Sequence, residues 1–146
     1  MQISNYLTSE HRECDNIFAR AENQIAQENW EEGQKSFLEF ANETLKHFKK
    51  EEEELFPEFE AKSGSSDGPT KVMRFEHDQV RGLLGKMAEA IEKKDKDAYL
   101  SMAESMMILL QQHNMKEEQM LYAMCDRIMM PEEKSNIIEK MEKVEL

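Results

Sequence analysis

An internal repeat constrains this chain more than any other feature of its sequence. All four histidines and two of the glutamates fall into two copies of one pattern, 66 positions apart. Two histidine pairs share one offset by chance with a probability of roughly one in a thousand, which indicates that the two halves are related. The repeated residues are His11, His47 and Glu51 in the first half and His77, His113 and Glu117 in the second.

Length and charge exclude several classes of protein. The chain has 146 residues, which suits a single domain over 1–146 with its own core. A net charge of -12 argues against nucleic acid as a partner, because phosphates would be repelled. No apolar run approaches a membrane span, and the N-terminus lacks the basic start and apolar core of a secretory signal. We therefore predict a cytoplasmic protein with no nucleic-acid or membrane partner.

Apolar residues recur at three- and four-residue steps along most of the chain, which indicates helix throughout. Thr8 or Ser9 is the predicted cap of the first helix and Asn29 that of the second, which Pro57 is expected to kink or end. A loop rich in serine and glycine, 63–69, separates the two repeat halves. The predicted helices cover about 8–29, 30–56, 70–94 and 99–127, with a polar corner at 93–97.

The connections between these helices are short, so consecutive helices should be antiparallel neighbours. The predicted fold is all-α, an up-down-up-down antiparallel four-helix bundle over about 8–127. Pro131 is expected to begin a short extra C-terminal helix over about 131–144, since proline favours a first helical position. Its apolar stripe of Ile137, Met141 and Val144 would cover one end of the bundle or meet a second subunit in a weak homodimer.

Each repeat half places histidine on an apolar, core-facing stripe beside a carboxylate. His47 and Glu51 are four residues apart, as are His113 and Glu117, so each pair projects from one helix face. Burying either glutamate without a counter-charge would cost several kcal/mol, and neither stripe supplies a lysine or arginine. Two divalent ions would remove that cost. Each half then offers two imidazoles and one carboxylate, a set that leaves coordination positions open on non-haem iron.

The spacing of these residues separates the chain from ferritin-like carboxylate proteins, whose helices carry Glu-x-x-His and use more glutamates than histidines. Here the order is His-x-x-x-Glu. The pattern resembles instead the hemerythrin-like HHE cation-binding domain family. The resemblance covers roughly 8–126 and is carried by His11, 47–57, Glu76, His77 and 113–117.

This resemblance implies a di-iron centre. Glu51 and Glu117 would bridge two Fe ions, with an oxo or hydroxo group as a further bridge. The two first-half histidines would bind one iron and the two second-half histidines the other.

Two departures from the oxygen-carrying hemerythrins bear on function. Those proteins have a fifth histidine in a His-x-x-x-His pair on the third helix, but Met73 and Arg81 stand four residues either side of His77. Their fourth helix carries His-x-x-x-x-Asp, whereas His113 is followed by glutamate at the fourth and fifth positions. A set of four histidines and two glutamates is similar to the branch linked to repair of iron centres after nitric oxide or oxidative stress.

The resemblance therefore implies a non-haem di-iron protein that binds or reacts with O2, NO or peroxide, in oxidative or nitrosative stress or in the protection of iron centres. Its predicted partner is that small ligand. Two alternatives use the same residues and stay open. One is a reversible O2-binding or sensing hemerythrin, and the other is a zinc-binding structural bundle, for which two histidines and one glutamate per metal are also acceptable.

Several charged residues near the predicted ligands admit two interpretations. Asp15, one turn after the first histidine, either orients an imidazole or is solvated. Arg81 either stacks outside the bundle or holds an anion near the metal. Glu10 and Glu76 each precede a histidine and are expected at the surface, since adjacent helical residues are turned by about 100°. Glu118 is a weaker ligand candidate than the buried glutamate before it.

Overall fold

The computed structural model of the chain describes residues 1–146 and contains helices without strands, which confirms the all-α class. Two π-helical turns, Glu51–Leu55 and Glu117–Leu121, join α2 to α3 and α5 to α6 without a break. No helix is both long and apolar enough to cross a membrane. The helices are α1 (Ile3–Ala26), α2 (Trp30–Lys50), α3 (Phe56–Ser63), α4 (Pro69–Glu92), α5 (Lys96–Lys116), α6 (Tyr122–Ile128) and α7 (Pro131–Glu142).

Four long helical segments form the body of the molecule. Segment α1 packs against α2 and α5, and α4 packs against α5 and α2, so the four segments form a closed ring of neighbours. The loop between the repeat halves ends α3 at Gly64, which adopts the left-handed conformation that glycine tolerates. The predicted four-helix bundle is confirmed, and its up-and-down order remains a prediction.

The first helix begins at Ile3, so the prediction of a start near Thr8 or Ser9 is wrong. Its N-terminus is capped from outside the helix. The Asp126 carboxylate accepts hydrogen bonds from the backbone N–H of Ile3 at 2.8 Å and of Ser4 at 3.3 Å. A cap supplied from the far end of the chain leaves no local sequence signal, which explains the error.

Of the two effects expected of Pro57, it does not end the helix, and the kink remains a prediction. Pro57 is the second residue of α3, which directly follows the first π turn. In π register its missing N–H would have bonded to the carbonyl of Glu52. The Arg74 guanidinium donates to that carbonyl oxygen at 3.4 Å, so the helix continues with the oxygen satisfied.

The core consists of two apolar clusters with a polar layer between them. Along α1, α4 and α5 with its continuation α6, a buried histidine separates residues of one cluster from residues of the other, and along α2 only Phe48 of the first cluster lies beyond the buried His47. The first cluster includes Phe18, Phe37, Phe40, Met87 and Tyr99. The second includes Leu7, Phe59, Met73, Tyr122 and Met141. The polar layer is therefore closed from solvent by hydrophobic side chains on both sides.

The C-terminal helix α7 covers one end of the bundle, which is the first of the two roles expected for it. It ends at Glu142, two residues before the predicted boundary. Ile137 and Met141 are 5 % and 0 % exposed within the second cluster, and Val144 beyond the helix is also buried. The predicted apolar stripe thus packs against the rest of its own chain.

The cap on α1 gives a stability prediction. Replacing Asp126 with alanine should lower the free energy of unfolding by about 1 kcal/mol, the usual effect of losing a helix cap. Asp126→Asn should be intermediate, since its amide keeps one of the two oxygens that accept from Ile3 and Ser4. Urea denaturation followed by far-ultraviolet circular dichroism measures both. Equal stability of the alanine variant and the wild type would contradict the assigned cap.

Candidate metal centre

The six predicted site residues meet in the polar layer. All of them are 5 % exposed or less. Their side-chain donor atoms form two groups that share one carboxylate, and in each group the atoms lie within 4.8 Å of one another. One group is His11, His47 and Glu117, and the other is Glu51, His77, His113 and Glu117. Each group is a set of nitrogen and oxygen donors of the kind that holds a metal ion.

Both buried glutamates stand at the first position of a π-helical turn. His47 Nε2 lies 3.4 Å from Glu51 Oε1, and His113 Nε2 lies 3.2 Å from Glu117 Oε1. The four-residue spacing predicted that each pair would share a face. It did not predict the π turns, which are rare and occur often at functional sites.

Four donor atoms at the centre have no hydrogen-bond partner: Nε2 of His77 and His113, Oε1 of Glu51 and Oε2 of Glu117. His77 Nε2 is only 3.2 Å from Glu51 Oε1, but the two atoms do not have hydrogen-bond geometry. An unsatisfied buried polar group costs about 1–3 kcal/mol, so four together need an explanation. A cation enclosed by them would satisfy all four, and the residues therefore fit a bound metal.

The outer nitrogen of every imidazole is held by a further carboxylate. The Nδ1···O distances are 2.7 Å for His11 and Glu118, 2.9 Å for His47 and Glu10, 2.7 Å for His77 and Glu52, and 2.8 Å for His113 and Glu76. Such pairs fix the ring orientation and leave Nε2 directed inward. The prediction that Glu10 and Glu76 are surface residues is wrong. Their place in the repeat, directly before a histidine, was the available signal.

Two of the uncertain charged residues now have defined contacts. Arg81 donates to Glu52 at 2.8 Å and to Asp78 at 2.9 Å, so it neutralises the carboxylate behind His77. The predicted role of Arg81 in holding an anion is not supported by these pairings. Asp15 makes no hydrogen bond to His11, whose Nδ1 is held by Glu118 instead.

Tyr122 is the main residue of the site that the sequence did not identify. Its hydroxyl donates to Glu51 Oε2 at 2.6 Å or to Glu117 Oε1 at 2.9 Å, and lies 3.2 Å from His11 Nε2. Phe56 occupies the matching position of the first repeat. Replacement of phenylalanine by tyrosine in one copy only was the signal that this position differs between the halves.

Burial and the neighbouring carboxylates shift the pKa values of several groups in this site, and the pKa values of two imidazoles and of the Tyr122 phenol are raised. Burial lowers the pKa of the His77 imidazole, but the neighbouring carboxylates of Glu117, Glu51 and Glu52 together outweigh it and raise that pKa to about 11. The pKa of His47 is likewise raised, since the carboxylates of Glu51, Glu10 and Glu117 together outweigh the effect of burial. Burial and the two carboxylates hold the pKa of the Tyr122 phenol well above its ordinary value. Without metal, protons therefore supply the positive charge at the centre.

Metal binding should release these protons. His77, with a pKa of about 11, is protonated at neutral pH and must lose its Nε2 proton to bind a metal. The apparent affinity should therefore rise with pH and fall as the solution is acidified. Adding Zn2+, which has no redox chemistry, to weakly buffered metal-free protein containing a pH indicator measures the release. Stoichiometric Zn2+ binding without released protons would contradict the assigned protonation.

The Tyr122 hydroxyl should stabilise the metal-free protein. Tyr122→Phe removes the donor shared by two buried carboxylates, and should lower the free energy of unfolding by about 1–3 kcal/mol. Tyr6→Phe is the control, because the Tyr6 hydroxyl accepts from Lys50 at 2.8 Å in a partly exposed position and should matter less. Urea titration in the presence of a chelator compares them. Equal effects of the two changes would count against the central role of Tyr122.

Comparison with protein families agrees with the geometry of this site. The family model described as "Hemerythrin HHE cation binding domain" matches residues 2–125, a span that contains all six predicted ligands. Comparisons with curated proteins and with solved structures found no match. The family match covers most of the chain and includes both donor groups. The chain belongs to the hemerythrin HHE cation-binding domain family.

Proposed function

We propose that this chain is a non-haem di-iron protein that binds or reacts with O2, NO or peroxide and thereby protects the cell, or its iron centres, during oxidative or nitrosative stress. The observation that carries the proposal is the pair of buried donor groups sharing Glu117, with four donor atoms that no protein group satisfies. Neighbouring groups that share a carboxylate suit two adjacent metal ions better than one.

The ligands of the two proposed irons follow from the donor groups. His11, His47 and Glu117 would hold one iron. His77 and His113 would hold the other together with Glu117 and Glu51. Two histidines with carboxylate oxygens are a common ligand set for non-haem iron that reacts with oxygen, and such iron cycles between ferrous and ferric states when bound.

The residues one helical turn before and after His77 make contacts away from the metal centre and supply no further ligand. This supports binding of a small external ligand. Met73 is 3 % exposed within the second apolar cluster, and Arg81 is paired with Glu52 and Asp78. No further imidazole therefore reaches the centre from α4. A coordination position left free by the protein is open to O2, NO or peroxide, or to solvent.

The surrounding side chains prepare the site for such chemistry. Phe48 stacks on His77 with ring centroids 3.8 Å apart, and Phe56 stacks on the same imidazole at 5.7 Å. These rings fix the imidazole and exclude water from its side of the centre. The Tyr122 hydroxyl lies between two carboxylates and can donate a hydrogen bond to Glu51 Oε2 or to Glu117 Oε1.

The deciding experiment is iron analysis with an ultraviolet-visible spectrum, on protein purified without oxygen and then exposed to air, NO and peroxide. We expect two irons per chain and charge-transfer bands of a ferric di-iron centre. Glu117→Ala should lose both irons because Glu117 belongs to both donor groups, whereas His47→Ala should lose about one. Glu53→Ala is the matched control, since Glu53 is an exposed residue of the first π turn.

The same measurement separates the alternatives. Rapid oxidation in air, a stable NO adduct or peroxide consumption would support the stress-related function. A spectrum that forms with O2 and reverses on its removal would indicate oxygen carriage or sensing instead. Colourless protein containing zinc, purified from iron-replete cells, would contradict the di-iron proposal and leave a structural zinc bundle.

A further inference from the structure

The charge pattern around the four imidazoles is broken at one place. Three of the outer carboxylates are each paired with a cationic side chain: Glu10 with Lys50, Glu52 with Arg81, and Glu76 with Lys116. The fourth, Glu118 behind His11, is 35 % exposed and has no lysine or arginine partner. One approach to the centre is therefore left negatively charged.

The break lies at a single position of the repeat. Arg81, a residue of the second half, neutralises Glu52. The residue 66 positions before Arg81 is Asp15. Where one half has a cation beside the outer carboxylate, the other has a second carboxylate. Asp15 forms neither an ion pair nor a hydrogen bond to His11, so packing of the imidazole does not account for it.

A small cavity adjoins His11 and His47 on this side. Its volume is about 10 Å3, close to the space that one water molecule needs, and Asp15, Thr44 and Asn114 also line it. Thr44 is 4 % exposed, and its hydroxyl makes no hydrogen bond within the protein. A buried hydroxyl without a partner is costly, and this one lines a cavity about as large as one water molecule.

The cavity shares two of its lining residues with a cleft that opens to solvent. The cleft has a volume of about 350 Å3 and is lined by Asp15, Asn114 and Glu118 among other residues. Asp15 and Asn114 border both spaces, so the cleft and the cavity are neighbours separated by these two side chains. The corresponding approach to His77 is blocked, because Arg81 lies over the Phe48 ring at 5.5 Å and Phe48 covers the imidazole.

We propose that the cleft bounded by Asp15 and Glu118 is the uptake site for the divalent cation that fills the metal centre. The two carboxylates attract Fe2+ from solution, and the oxygens of Asn114 and Thr44 replace part of its water shell on the way to His11 and His47. Oxygen donors suit a hard, hydrated cation, and a locally negative funnel raises the rate of its capture. This inference rests on the proposed iron-binding function.

The rate of iron uptake tests the proposal. Metal-free full-length protein is mixed with Fe2+ without oxygen in a stopped-flow instrument, and filling is followed by the absorbance of a competing chelator. Asp15→Asn should slow uptake several-fold and Asp15→Arg, which copies the other half, by about ten-fold or more at low ionic strength. The final iron content should equal that of the wild type, since Asp15 is not among the proposed ligands.

Two further variants separate this route from a general effect of charge or packing. Glu13→Gln removes one negative charge from an exposed position of the same helix and should leave the rate within about two-fold of the wild type. Thr44→Val should slow uptake, whereas Thr44→Ser, which keeps the hydroxyl, should not. Wild-type rates in both Asp15 variants, or equal slowing by Glu13→Gln, would overturn the uptake site. Wild-type protein that binds no iron at equilibrium would overturn the proposed function itself.

Discussion

The need to compensate buried charge governs this structure. Four imidazoles and two carboxylates lie between two apolar clusters, with the carboxylates of Glu51 and Glu117 fully excluded from solvent. Such groups are tolerated only when paired, protonated or bound to metal. In the metal-free protein, protonated imidazoles with raised pKa values and the Tyr122 hydroxyl compensate the carboxylate charge. Metal ions would replace the protons, so the folded bundle already has the charge arrangement that they require.

A ring of carboxylates around the centre extends this compensation to the surface. Each imidazole links an inner donor group to an outer glutamate, and three of these glutamates continue to a lysine or arginine. These series of hydrogen-bonded side chains orient the imidazole rings and spread the charge of the centre over a larger volume. Because the series of His11 and Glu118 has no cation at its outer end, the two halves are electrostatically unequal despite their common pattern. Tyr122 opposite Phe56 makes them chemically unequal as well.

Sequence and structure agreed where a feature follows from a periodic pattern, and differed where it depends on a residue distant in the sequence. The helices, the loop at 63–69 and the six site residues all follow from helical spacing and from the repeat, and the structure brings those six residues together. Features that local sequence did not predict arose where a distant residue intervened. Asp126 caps the first helix from the far end of the chain, and Arg74 satisfies the carbonyl that Pro57 leaves free. Neither partner is predictable from neighbouring sequence.

The sequence by itself determined the all-helical class, the pseudo-symmetric halves and the histidine and glutamate positions, because side chains three and four residues apart share a helix face. Only the tertiary structure decided which carboxylate meets which imidazole. Pairs such as His11 with Glu118 and His47 with Glu10 join different helices. Their formation depends on how α1, α2, α4 and α5 are rotated against one another and on the π turns after His47 and His113. Those rotations result from packing of the whole core, which no single segment of sequence specifies.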